Sequence, residues 1–199
     1  MYMEKIPQDV TVILASASPR RRELLSGMGI SFAVCPCDVD EHLPGTVPPP
    51  KAVVILSERK ARAASAVHPE ALVIASDTLV ACDGTALGKP VNAADAHHIL
   101  MRLSGRAHMV YTGVTVLYRG RTYTARGETV VHMRPFGPEE ADAYIETGEP
   151  MDKAGAYGIQ GQGGRFVTRI EGAYDNVVGL PTELLRRLLR EALTAEAEV

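Results

Sequence analysis

The stretch Val10-Thr11-Val12-Ile13-Leu14-Ala15-Ser16-Ala17-Ser18-Pro19-Arg20-Arg21-Arg22-Glu23-Leu24-Leu25 decides the fold class. Its first half, Val10 to Ala15, is a short apolar run rich in β-branched residues and reads as a strand. Ser18 before Pro19 suits an N-cap followed by proline at the first helical position. Leu24, Leu25 and Met28 then form an inward helical face, with Gly29 as the stop. A strand that passes through a tight loop into a helix is the opening unit of an α/β protein.

Working outward, Ser31 to Cys35 reads as a second strand, and the proline-rich stretch from Pro36 to Pro50 as a loop. Lys51 to Val67 is an amphipathic helix burying Val54, Leu56, Ala61 and Ala64 and presenting Glu58, Lys60 and Arg62. Ala71 to Ala81 is a strand that Asp83-Gly84 turns back. Asn92 caps a helix with Ile99, Leu100 and Leu103 inside and Gly105 at its end. Met109–Tyr118 and Thr122–Met133 form a hairpin about Arg119-Gly120, and Pro138 to Glu146 is another helix. Gly148 to Pro181 holds eight of the eighteen glycines and reads as a winding connection where backbone can come close to backbone or ligand. A helix from Thr182 and an acidic tail close the chain. With no repeat or low-complexity tract, the pattern implies mixed α/β structure around one sheet.

At 199 residues and 46% apolar content, the expected organisation is one domain, 1–199, with two lobes. A net charge of -3 supplies no field to draw in nucleic acid or anionic lipid, so any anion must be held locally. Three cysteines, Cys35, Cys37 and Cys82, cannot close a disulfide set and lack a zinc site's second ligand pair. No stretch approaches the roughly 20 apolar residues that cross a bilayer. A cytoplasmic protein with neither membrane nor nucleic-acid partner is expected.

Two places carry chemistry. Ser16 to Arg21 brings hydroxyls and guanidinium groups to a helix N-terminus, whose free amides and dipole favour an anion; arginine adds paired donors shaped for phosphate. Three cations at that helix end are unfavourable unless compensated, which selects Arg20 and Arg21 as functional and leaves Arg22 to solvent. In Ile74-Ala75-Ser76-Asp77-Thr78, a carboxylate interrupts an apolar strand. A buried lone carboxylate costs several kcal/mol unless a metal, a lysine or a water offsets it. Asp40, Glu41 and Asp152 are further carboxylates that could join Asp77 on Mg²⁺, and Lys60 and Lys89 are candidate cations for the outer phosphates. Gly84 to Pro90 imitates a P-loop but has too few residues between its glycines, and Pro90 stands where Ser or Thr is required. The six histidines form no zinc pattern, and no Gly-x-Ser-x-Gly elbow supports a covalent serine route.

Taken in order, Leu14-Ala15-Ser16-Ala17-Ser18-Pro19-Arg20-Arg21, Ala75-Ser76-Asp77-Thr78, Gly88-Lys89-Pro90, Leu103-Ser104-Gly105-Arg106-Ala107-His108, Asp152 to Gly161 and Val178-Gly179-Leu180-Pro181 resemble the Maf family. The resemblance implies a fold like that of inosine triphosphate pyrophosphatases: an elongated mixed β-sheet with flanking helices, two lobes and a central cleft. It also implies hydrolysis of a nucleoside triphosphate to monophosphate and pyrophosphate with a divalent cation, Mg²⁺ or Mn²⁺. Asp77 matches the family's proton acceptor. Arg20, Thr78 and Gln160 match positions tied to substrate choice, and Ser16, Arg21, Glu41, Lys60 and Lys89 match other pocket residues, with Glu41 and Asp77 as candidate metal ligands. Asp-Lys-Ala-Gly-Ala-Tyr-Gly-Ile-Gln-Gly, residues 152–161, resembles the branch acting on TTP and UTP. Tyr157 and Gln160 separate it from the branch acting on 7-methyl-GTP. A homodimer is implied by resemblance alone, as is a rival role as a nucleotide-binding regulator of septum formation.

Overall fold

The computed structural model describes residues 6–44 and 47–194. The acidic tail expected at 195–199 lies outside them. Strand β1 (Val12–Leu14) is buried throughout and leads into helix α1 (Pro19–Gly27). Ser18 caps α1 by accepting from the Arg21 amide, and Gly29 takes φ 74° just beyond its end. The second strand shrinks to β2 (Ala33–Val34). Helix α2 (Pro49–Val67) starts two residues before the expected Lys51. Proline is tolerated there because the first-turn amides have no intrahelical acceptor to lose.

Strand β3 (Leu72–Cys82) is followed by β4 (Thr85–Leu87), then α3 (Ala93–Leu103), capped by the Asn92 side chain as expected. The long hairpin of β5 (Ala107–Tyr118) and β6 (Arg121–Met133) turns at Arg119 and Gly120, both at positive φ, which matches the twist of the strands. Helix α4 (Pro138–Ile145) precedes the glycine-rich segment, which forms three short 3₁₀ turns. That segment also holds strand β7 (Val167–Glu171), which periodicity missed: its residues are half-exposed and it pairs only with β6 across a bulge. Helix α5 (Tyr174–Val178) and helix α6 (Thr182–Thr194) complete the described chain, α6 burying Leu185, Leu188, Leu189 and Ala192.

The strands form one mixed sheet of seven, ordered β2-β1-β3-β5-β6-β7 with β4 also against β3. β1 runs parallel to β2 and β3, and the other pairs are antiparallel. Three apolar clusters surround it. α1 and α6 cover Leu14, Leu72 and Ile74 from one side, and Ala61 and Ala64 of α2 cover Ile13, Val73 and Ala75 from the other. The third cluster joins the far end of β3 to α3 and α4 through Val80, Leu100, Tyr144 and Phe166.

One consequence of register positions everything that follows. On the edge of β3, β1 pairs with Leu72 to Ile74, and β4 pairs with Val80 to Cys82. Between them, Ala75 to Leu79 has no strand beside it on that edge among the described residues. A cleft opens where the neighbour changes, at the C-terminal end of β1, the place where open α/β sheets receive ligands.

Candidate active site

Side chains of β3 alternate between the two faces of the sheet. Asp77 follows Val73 and Ala75 onto the α2 side, whereas Ser76 and Thr78 follow Leu72 and Ile74 toward α1 and α6. Because the edge is open at this point, both sets reach one cavity of about 680 Å³. Ser16, Arg20, Arg21, Glu41, Lys60, Asp77, Thr78, Lys89 and Gln160 all line it, as does Asp152, whereas Asp40, the other carboxylate considered from sequence, does not.

On the α2 side, Asp77 is only 7% exposed. The partner its burial requires is Lys60, whose ammonium lies 2.6 Å from Asp77 Oδ1 and 2.6 Å from Glu41 Oε1. The three charges form a carboxylate-ammonium-carboxylate bridge, and donation from Lys60 holds the Glu41 carboxyl below its ordinary value against the opposing effect of burial. Helix α2 can deliver Lys60 this close because it rests on the sheet through Ala61 and Ala64 and on Gly113 of β5, directly opposite Asp77. A β-carbon at Gly113 would lie 2.2 Å from the Val53 carbonyl oxygen.

On the α1 side, Arg21 answers the problem of cations at a helix N-terminus. Its Nε donates to the Gly179 carbonyl at 3.0 Å, one terminal nitrogen to Ser16 Oγ at 3.2 Å and the other to Thr78 Oγ1 at 3.1 Å. Burial pushes its guanidinium below the ordinary value, and the charge of Asp77 opposes the shift. Arg21 is therefore tied into the protein, with two of its five N–H groups left for an anion. Arg20 is freer, its only ion pair among the described residues being Asp152 at 3.9 Å, and Arg22 is exposed.

Donor directions in this network follow from counting protons. Thr112 Oγ1 donates to the Asn176 carbonyl at 2.8 Å, so in the 3.1 Å contact between Thr78 and Thr112 the donor must be Thr78. Thr78 accepts from Arg21 and spends its proton on Thr112; toward a substrate it can only accept. Ser16 is the reverse. It accepts from Arg21 and from the Ser18 amide, so its hydroxyl proton is available to an anion in the cavity.

Lys89, on the connection after β4, is exposed and lines the cavity, where its charge helps to lower the Glu41 carboxyl. Asp152 pairs with Lys153 at 2.5 Å and with Arg20 at 3.9 Å, and it lines the cavity. Asp40 is exposed, and its carboxylate accepts from the His42 amide, so it does not join Asp77. Gln160 is exposed and lines the cavity, as does Tyr157. The hydroxyl of Tyr157 points away from the cavity to His108 Nε2 at 2.8 Å, both side chains being buried.

No cluster of three or more His, Cys, Asp or Glu among the described residues could enclose a metal. Two carboxylates on the cavity that also holds the Ser16–Arg21 loop nonetheless suit Mg²⁺, which takes one or two carboxylates and completes its shell with phosphate oxygens and water. Thr112 and Asn176 were not foreseen from sequence, because their roles depend on non-local pairing and their only local signal is polarity inside apolar runs; Gly179 stood within a quoted motif, but the role of its carbonyl did not show there.

A family model described as Maf-like protein matches residues 11–192. A dTTP/UTP pyrophosphatase of Moorella thermoacetica is 49% identical over 180 residues, 89% of this chain and 93% of the relative. One from Vibrio cholerae is 49% identical over 181 residues, 90% of this chain and 97% of the relative. Among solved structures, the Staphylococcus aureus Ham1 protein superposes with a TM-score of 0.51 at 14% identity, covering 91% of this chain and 98% of that one, a likeness of fold.

Proposed function

Since the chain belongs to the Maf family, we propose that it hydrolyses nucleoside triphosphates, dTTP and UTP by preference, to the monophosphate and pyrophosphate. The observation that carries the reading is the Lys60 bridge. It presents a buried carboxylate, Asp77, to a cavity that is also lined by Ser16, Arg20 and Arg21. The relatives' names favour catalysis over a regulatory nucleotide sensor.

In this reading Ser16 donates its free proton, and Arg20, Arg21 and Lys89 donate their N–H groups, to the triphosphate. Lys60 holds Asp77 and Glu41 in place. Asp77 accepts a proton from, or orients, the water that attacks the α-phosphorus, and pyrophosphate leaves in line. Mg²⁺ or Mn²⁺ held by Asp77 and Glu41 would supply further neutralisation of phosphate charge. Gln160 offers both a donor and an acceptor to the edge of a uracil or thymine ring. Free thiols at Cys35, Cys37 and Cys82 suit a cytoplasmic setting. A homodimer is part of the same proposal.

The test is a nucleotide panel assayed with Mg²⁺ and with chelator, with products identified. Turnover of dTTP and UTP above other nucleotides supports the reading. Preference for 7-methyl-GTP or for purine triphosphates sinks it.

A further inference from the structure

Gln160 occupies the second central position of a turn in which the Gly161 amide donates to the Gly158 carbonyl at 3.2 Å. Both flanks of this turn are fastened to one pair of side chains outside the cavity. The Gly158 amide donates to the Tyr144 hydroxyl at 3.0 Å, and that hydroxyl donates to Glu149 Oε1 at 2.8 Å. Past the turn, the amides of Gln162 and Gly163 donate to Glu149 Oε2 and Oε1 at 2.9 and 3.2 Å. Tyr144 is fully buried, and neither residue lines the cavity.

The glycines record how closely the chain wraps this pair. A β-carbon on Gly161 would stand 2.5 Å from the Glu149 carboxylate, one on Gly163 2.5 Å from the Tyr144 hydroxyl, and one on Gly158 2.9 Å from Glu149 Oε1. Lys153 completes the frame, its ammonium donating to the Glu149 carbonyl at 2.6 Å. Burial opposes ionisation of Glu149, yet the amide and hydroxyl donors hold its carboxyl below the ordinary range, so it is an acceptor throughout neutral pH.

From this arrangement we propose that Glu149 and Tyr144 are positioning residues for base recognition, fixing the backbone from which Gln160 reads the pyrimidine edge. The proposal rests on the dTTP/UTP reading given above. Uracil shows an N3–H donor beside an O4 acceptor, and cytosine shows the reverse order. A carboxamide on a loose turn can present either end to either base. Held on a pinned turn, it meets the base edge at one distance and angle, and a base whose groups fall out of line there leaves them unpaired.

The experiment compares UTP with CTP as substrates of the full chain and of its E149Q, Y144F and Q160A variants, with thermal melting to establish folding. Glu149→Gln replaces one accepting oxygen with a donor that faces an amide; Tyr144→Phe removes one hydroxyl. Each should cut the UTP:CTP ratio of kcat/KM by roughly tenfold or more through KM, with kcat for UTP held within roughly threefold. If E149Q does not fold, Y144F alone decides. An unchanged ratio in the folded variants, with Q160A erasing it, overturns the positioning role and leaves the Gln160 reading standing. A wild type indifferent to the base, or a Q160A variant that keeps the preference, overturns that reading and the inference with it.

Discussion

Asp77 and Lys60 illustrate how far single residues can be read from sequence. The anomaly of a carboxylate in an apolar strand was legible, since burying charge demands a partner. Which partner was not, because Lys60 is brought there by the packing of α2. Replacing Asp77 by Asn keeps the shape and removes the accepting charge. Nucleotide binding should survive by calorimetry while kcat falls by about 10²-fold or more; wild-type turnover would remove Asp77 from the chemistry. His108 makes a prediction on stability. Burial first, and the charge of His132 second, hold its pKa at about 4, well under that of an exposed imidazole. Between pH 6.5 and 4 the unfolded chain binds a proton that the folded protein refuses, so stability falls as pH falls through that window. Wild type should lose about 3 kcal/mol more than His108→Gln between pH 7 and pH 4 in urea titrations; parallel curves would contradict it.

At the scale of elements, α2 and β5 meet without a side chain between them at Gly113. Gly113→Ala should push α2 outward, cost about 1–3 kcal/mol in chemical denaturation, and lower kcat/KM by roughly tenfold or more as Lys60 withdraws from Asp77. Full activity in a destabilised G113A protein would mean that the helix position does not control the bridge. Helix caps at Ser18 and Asn92 and the turns at Asp83-Gly84 and Arg119-Gly120 were legible because each depends on two to four adjacent residues. β7 was not. Its pattern is half-exposed, and its identity as a strand comes from β6, more than thirty residues away.

For the whole molecule, the decisive feature is the change of neighbour along β3, from β1 to β4, which leaves the edge at Ala75 to Leu79 open. Sequence periodicity placed β1 and β3 but not β4, and it carries no information on register between distant segments, so the central cleft implied by resemblance acquired its position only from the sheet. Two chemistries then approach from opposite faces of one strand: the Arg21 network with its hydroxyls, and the Lys60 bridge with its carboxylates. In the proposed mechanism the attacking water belongs to the Asp77 side and the leaving pyrophosphate to the cationic loop. Hydrolysis of UTP in ¹⁸O-labelled water, followed by mass spectrometry of both products, tests this most directly. Attack at the α-phosphorus puts the label in UMP and leaves pyrophosphate unlabelled; label in pyrophosphate, or release of UDP and orthophosphate, would contradict that assignment.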